Sequence, residues 1–397
     1  MTFSKYFDKM SSMQKNTVNH PLGFFKKDNS IYESINNDDI SFAASDNKSY
    51  ISIPDYDPAT HYIELTRSRY YETLITVRHH IKSVSDNYFY LLGAKNIDLF
   101  MMTPSISSPM GPGSDSEAIP INFGKLKTYL TDSSQFGFEP LLMNGIDKVY
   151  CYLPSMRGEN PDKRHLNQFF HCEAEIKGSL DALIPIIEGY VKSLCEALTW
   201  MPSIVGGISR EPQATRAALS RILAFDTFKR ITLDEGIEIL KKSEVPDLFT
   251  ETQHGRDMTS RGELELLRIL HIDTPLWVTS YDRDRVAFYQ KPEPNNSDKV
   301  INADLLFPPL NGNSFGGEIV GSGQRQDSVE EMYESLKRQG IPAAPYEWYI
   351  NLRRLSGYGI TSGFGLGIER FIAWALCLED IRDAIIYPRL KNVVTYP

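Results

Sequence analysis

Between Met156 and Phe170 the chain reads MRGENPDKRHLNQFF, packing Arg157, Glu159, Asp162, Lys163, Arg164 and His165 into one short run ahead of a Phe pair. Charges at that density are usually no more than a solvated loop. The flanks argue for more here. VYCYLP from Val149 and FFHCEAEI from Phe169 both alternate as strands do, so the charged run reads as the connection of an antiparallel pair. Arg157 and Glu159 share a parity and would face one side of the first strand's end. Such a set suits a nucleotide: Arg157 neutralises an α-phosphate, Arg164 and His165 reach terminal phosphates, and Phe169 stacks on a base.

Two later segments carry the same kind of signal. SGFGLGIERF, Ser362 to Phe371, has a glycine run that is weak support for a dinucleotide fold, since no βαβ unit surrounds it. The other reading is a strand whose glycines admit a ligand close to the backbone, followed by a helix whose Arg370 points back at it. GGEIVGSGQRQ sets Glu318 seven residues before Arg325, with glycines between them. A lone Glu318 is more often an ion-pair partner than a metal ligand. With Asp304 it forms a reasonable magnesium pair.

The elements that must hold these residues are legible in outline. Residues 1–60 are polar and read as an irregular arm, and residues 61–397 as one catalytic domain. The spacing predicts an amphipathic helix over Glu64–Val84 and a helical insertion over about 179–245. Strands follow at WVTSY, VAFYQK, ADLLFP and GGEIVGSG, then helices near Val329–Gln339, Tyr346–Leu355 and from Ile368. This order fits α+β with an antiparallel sheet, not alternating βαβ units. The chain has 397 residues, 41% hydrophobic and 23% charged, without an apolar run long enough to span a membrane. Cys151, Cys172, Cys195 and Cys377 are scattered, which suits reduced thiols in a cytoplasm better than a zinc site or disulfides. A net charge of −9 disfavours nucleic acid as a partner.

The three segments, in this order, resemble the motifs of class II aminoacyl-tRNA synthetases, specifically the asparaginyl/aspartyl group. Glu159 and Phe169 keep the second motif's spacing, RHLNQF is similar to the asparaginyl form, and GLGIER matches the third motif. SSQFGFE, GEIVGSGQR, EWYINLRR and IRDAIIYPR also look like this type, so the resemblance covers about residues 60–397. It implies a six- to seven-stranded antiparallel core flanked by helices, binding ATP and Mg2+. Arg157 would hold the α-phosphate and activated carboxylate, Glu159 would read the adenine amino group, and His165 and Arg370 would meet the terminal phosphates. Phe169 and Arg370 would sandwich the adenine, and Glu318 would hold magnesium. In the amino-acid pocket, Gln135 would contact the α-amino group, Glu173 an amide, and Arg325 the side chain. Phe138 stands where aspartyl enzymes keep a lysine. The resemblance also implies a homodimer through the helix near Glu64–Val84 and the segment ending at Pro104.

Four departures surround the amino-acid pocket: Gly321-Ser322-Gly323 for Gly-Gly-Ser, Ile350-Asn351 within WYINLR, Ile360-Thr361 for Pro-His, and SSPMGPGSDSE for a Glu-Gly-Gly loop. The arm is too short and too poor in strands for the family's anticodon-binding barrel. The expectation is therefore an ATP-dependent ligase that forms an aspartate- or asparagine-like aminoacyl-adenylate and passes it to ammonia or a small amine. A tRNA-charging enzyme without its anticodon domain, and a non-catalytic amino-acid or ATP sensor, are the alternatives.

Overall fold

A computed structural model describes residues 51–107 and 116–396. Most of the expected arm and most of the SSPMGPGSDSE segment lie outside the described residues. The core is one eight-stranded sheet. Its strands are β1 (Lys95–Asn96), β2 (Lys148–Met156), β3 (Gln168–Lys177), β4 (Lys229–Thr232), β5 (Leu276–Thr279), β6 (Asn302–Phe307), β7 (Gly317–Gln324) and β8 (Thr361–Gly367). They are ordered β1-β2-β3-β8-β7-β6-β5-β4. The six strands from β2 to β5 are antiparallel to their neighbours, as expected, while β1 and β4 add parallel edges.

One face of the sheet is apolar because alternate residues point the same way. Cys172, Ala174 and Ile176 of β3, Phe364 and Leu366 of β8, and Ala303 and Leu305 of β6 are buried in one cluster. That face is covered by α1 (Arg69–Leu91), α2 (Leu180–Thr199), α3 (Pro202–Ile208) and α4 (Pro212–Ala224). The helix expected over Glu64–Val84 is displaced toward the C-terminus. Ser68 is extended and its hydroxyl accepts from the Tyr70 N–H, which caps a helix running on to Leu91. Within it Tyr70, Leu74, Val77, Ile81, Val84 and Tyr88 form the buried stripe. The 179–245 insertion is not helical throughout, since β4 lies inside it and pairs in parallel with β5.

The opposite face is built for a ligand. Register aligns Glu173, Gly365, Gly321 and Asp304 in one row, and Glu175, Gly363, Gly323 and Asn302 in the next. Glycines at the middle of both rows leave a floor of bare backbone between Glu173 and Glu175 on one side and Asp304 and Asn302 on the other. A β-bulge between Leu305 and Leu306 pairs Leu305 with Val320 but Leu306 with Glu318. The extra residue reverses the alternation, bringing Glu318 to the same side as Gly321. Helices α5 (Ser260–Ile269) and α6 (Val329–Arg338) belong to smaller units beside this face, and α7 (Ile368–Ala375) follows β8.

Candidate active site

Two adjoining cavities, of about 110 and 650 Å3, lie over the glycine floor and share Arg157, His165, Glu318 and Arg370 as lining. The smaller also takes in Glu159 and Phe169, the larger Gln135, Glu173, Asp304 and Arg325. All ten sequence-predicted site residues therefore meet in one place.

The loop between β2 and β3 is pinned by Asn167. Its Nδ2 donates to the carbonyls of Arg157 (2.8 Å) and Glu159 (2.7 Å), while its Oδ1 accepts from the Lys391 N–H (2.6 Å). The Arg157 guanidinium lies 5.3 Å from the centre of the Phe169 ring, and its Nε is buried without a hydrogen-bond partner. Such a donor is held ready for an acceptor from a ligand. Glu159 accepts from the Glu117 N–H at 3.2 Å. His165 sits at the loop's exposed edge, 2.9 Å from Asp162. Arg164 goes deeper: it donates to the Gly316 carbonyl at 2.7 Å and lies over the Phe315 ring. Burial, followed by the charge of Arg370, lowers its pKa.

Arg370 projects from the first turn of α7, across Gly367. Its Nη1 donates to both the carbonyl and the carboxylate of Glu318, each at 3.0 Å. Its neighbour Glu369 is buried, accepts from the Phe170 N–H (2.8 Å) and pairs with Arg78 of α1 (2.7 Å). Glu318 and Asp304 flank Gly321, whose Cβ, if present, would lie 3.3 Å from one carboxylate and 3.5 Å from the other. Burial, then Glu318, pushes the Asp304 carboxyl well up. Among the described residues no three His, Cys, Asp or Glu form a metal cluster. A carboxylate pair opening on an arginine-lined cavity nevertheless fits Mg2+, which is commonly held by one or two carboxylates plus substrate phosphates. Glu263 of α5, absent from the sequence expectations, accepts from the Glu318 N–H at 3.0 Å. Burial, then Glu318, pushes its carboxyl up to about 7.

The far end of the larger cavity is polar and tightly paired. Arg325 meets Glu175 through two parallel hydrogen bonds, Nε to Oε1 at 2.9 Å and Nη2 to Oε2 at 2.8 Å, both side chains being buried. Burial opposes the charge of Arg325, but Glu175 more than offsets it and the net shift is upward. The expected side-chain reader is thus already engaged by a residue the sequence reading passed over. A Cβ on Gly363 would fall 2.0 Å from Glu175 Oε2, so this pair needs glycine there. Glu173 accepts from the Ser133 hydroxyl and from the Ser134 N–H (2.8 Å), and burial raises its pKa. His171, also unforeseen, is held well below the usual imidazole range by burial and then by Arg157. Phe138 does not line the cavity. It packs in a small core with Leu142, Val149 and Cys151.

An antiparallel sheet whose bare glycine face carries an arginine-lined cleft is the architecture of a class II synthetase core. Residues 54–391 match the family model for class II tRNA synthetases (D, K and N), and the chain belongs to that family. It is 34% identical over 266 residues to the asparagine–tRNA ligase of Pyrococcus abyssi, covering 66% of this chain and 56% of that protein. The asparagine–tRNA ligase of Streptococcus pneumoniae is 30% identical over 338 residues, with 82% and 70% covered. The crystal structure of Pyrococcus horikoshii asparaginyl-tRNA synthetase complexed with asparaginyl-adenylate superposes with a TM-score of 0.76 at 26% identity, covering 87% of this chain and 74% of that one. The chain spans little more than half the length of the first curated relatives it matches, 56% in the Pyrococcus abyssi case.

Proposed function

We propose that the chain activates asparagine with ATP to form asparaginyl-adenylate, and that tRNA receives the aminoacyl group. The observation that carries this reading is the bipartite cavity: an arginine-rich nucleotide end joined over bare glycines to a paired, polar amino-acid end. The names of the relatives and the adenylate in the superposed structure support it. They favour the tRNA-charging alternative over the amide ligase expected from the sequence. The charge of −9 had weighed against tRNA, but a total says nothing of where cations gather.

In the first step a carboxylate oxygen of the amino acid attacks the α-phosphorus in line, forming the acyl–phosphate bond as the bond to the β-phosphate breaks and pyrophosphate leaves. The attacking group is already deprotonated, so no general base is needed. Positioning and charge neutralisation suffice. Arg157 holds the α-phosphate and the incoming carboxylate, Phe169 and Arg370 enclose the adenine, and Arg370 with His165 meets the departing phosphates. Glu159 reads the adenine amino group. Gln135, Glu173 and Arg325 line the amino-acid end, Gln135 toward the α-amino group. Magnesium, held by Glu318 with Asp304, would screen phosphate charge. In the second step a tRNA hydroxyl attacks the carbonyl carbon and AMP leaves.

The assembly is proposed to be a homodimer. Tyr90 and Leu91 at the end of α1, with Phe100 and Met101 and, in the three-stranded sheet of Met102–Thr103, Pro120–Phe123 and Leu126–Leu130, Met102 and Leu126, expose apolar surface that a second copy would cover. Charging is tested by incubating the protein with ATP, labelled asparagine and unfractionated tRNA. Acid-precipitable label supports the reading. Label that stays soluble, with amide product appearing on addition of ammonia, would overturn the tRNA step and restore the amide ligase.

A further inference from the structure

We propose that Gln290 is a specificity-determining residue of the amino-acid subsite, its carboxamide oxygen accepting an N–H from the substrate's side chain. The assignment rests on the adenylate-forming reading above. Gln290 lines the larger cavity and forms an isolated bridge with Arg325. The backbone around it is fixed to the sheet's extension: Gln326 donates its N–H to the Tyr289 carbonyl (2.8 Å) and Lys291 to that of Gln324 (2.9 Å).

The side chain lies flat over Gly323. A Cβ built there would be 1.9 Å from Gln290 Oε1 and 2.7 Å from its Nε2, so the carboxamide fills the space of a residue-323 side chain. Gly323 is thus the condition for Gln290 to reach the floor. Its Oε1 is shielded from solvent and accepts no hydrogen bond within the protein. Of the surrounding polar groups, Gln135 Nε2 and Arg157 Nε are likewise buried without a partner, while the charged groups nearest Gln290 are paired. Arg325 is taken up by Glu175, and Glu173 receives both Ser133 and Ser134. A hidden acceptor of this kind is costly unless a ligand supplies the donor. A carboxamide side chain brings N–H groups to it. A carboxylate brings none and would set oxygen against oxygen, beside Glu173. The class recognised is therefore a neutral side chain with an N–H donor.

The test uses ATP–pyrophosphate exchange in the full chain with asparagine and aspartate as probes. Gln290→Leu is expected to raise the KM for asparagine about tenfold, the scale of one hydrogen bond lost to a neutral partner. It should leave kcat and the KM for ATP essentially unchanged, and lower the asparagine-to-aspartate ratio of kcat/KM by the same factor. Gly323→Ala, which displaces the carboxamide without removing it, should act in the same direction and serves if the first variant folds poorly. An asparagine KM unaltered in both variants would overturn the role of Gln290 while leaving adenylate formation standing. A wild-type protein that exchanges with no amino acid would overturn both.

Discussion

Replacing Glu175 by Gln removes one charge from the buried end of the amino-acid cavity and keeps the shape. Glu175 grips Arg325 with bonds of 2.8 and 2.9 Å, which puts the two charge centres about 4 Å apart and their attraction near 4 kcal/mol at an effective dielectric of about 20. Gln keeps one accepting oxygen but turns an N–H toward the guanidinium, so a stability loss at the lower end of about 3–5 kcal/mol is expected. The change in selectivity is more informative. Arg325 becomes an uncompensated cation, and a ligand carboxylate can recover part of the lost attraction. Halving the figure for water in the open cavity leaves about 2 kcal/mol, or a roughly 30-fold shift in the aspartate-to-asparagine ratio of kcat/KM. Pyrophosphate exchange with each amino acid measures that ratio directly. A folded, ATP-binding Glu175→Gln protein with an unchanged ratio would refute the idea that the Glu175–Arg325 pair sets the charge of the subsite.

Arg370→Ala should lower kcat/KM for adenylate formation by about 2–4 kcal/mol, since it removes both a phosphate contact and the partner of Glu318; near-normal exchange would make α7 merely structural. Asp383 is pushed up to about 6 by burial and then by Asp380, against about 4 in an unfolded chain. Its contribution to stability is full below about pH 4 and lost as the pH rises through about 6, so Asp383→Asn should add about 1–2 kcal/mol at pH 8 and little at pH 4. Thermal unfolding at the two pH values checks this, and an equal effect at both would contradict it. Light scattering at micromolar concentration should give about twice the chain mass of 45.2 kDa, and Met102→Glu should shift it toward the monomer; a wild-type monomer would remove the dimer.

The meeting of the proposed nucleotide-binding residues was readable in the sequence because they sit in short continuous segments. Arg157, Glu159 and Phe169 flank one hairpin, and Arg370 follows one glycine strand. The amino-acid end was only half readable. Arg325 and Glu175 are 150 positions apart and meet only through the register of β3, β8 and β7. The hint was parity: in HCEAE, Glu175 shares a face with Glu173 and His171, so all three belong to the same wall. Strict alternation alone would set Glu318, an odd number of residues from Arg325, on the opposite face; the motif placed it correctly, and the bulge at Leu305–Leu306 is what brings it to the site face. The edge strands Lys95–Asn96 and Lys229–Thr232 are too short to show a period, and their pairing is decided by what they pack beside. Glu263 gave no local signal, since it acts on the backbone of a distant segment, and Asn167 joins its own loop to the equally distant Lys391.

Adenylate formation is tested most directly by ATP–pyrophosphate exchange of the purified chain with each of the twenty amino acids, in the absence of tRNA. Exchange dependent on asparagine, and lost in Arg157→Ala, is the expected result. Exchange with no amino acid, or with asparagine undiminished in Arg157→Ala, would contradict the function assigned to this cleft.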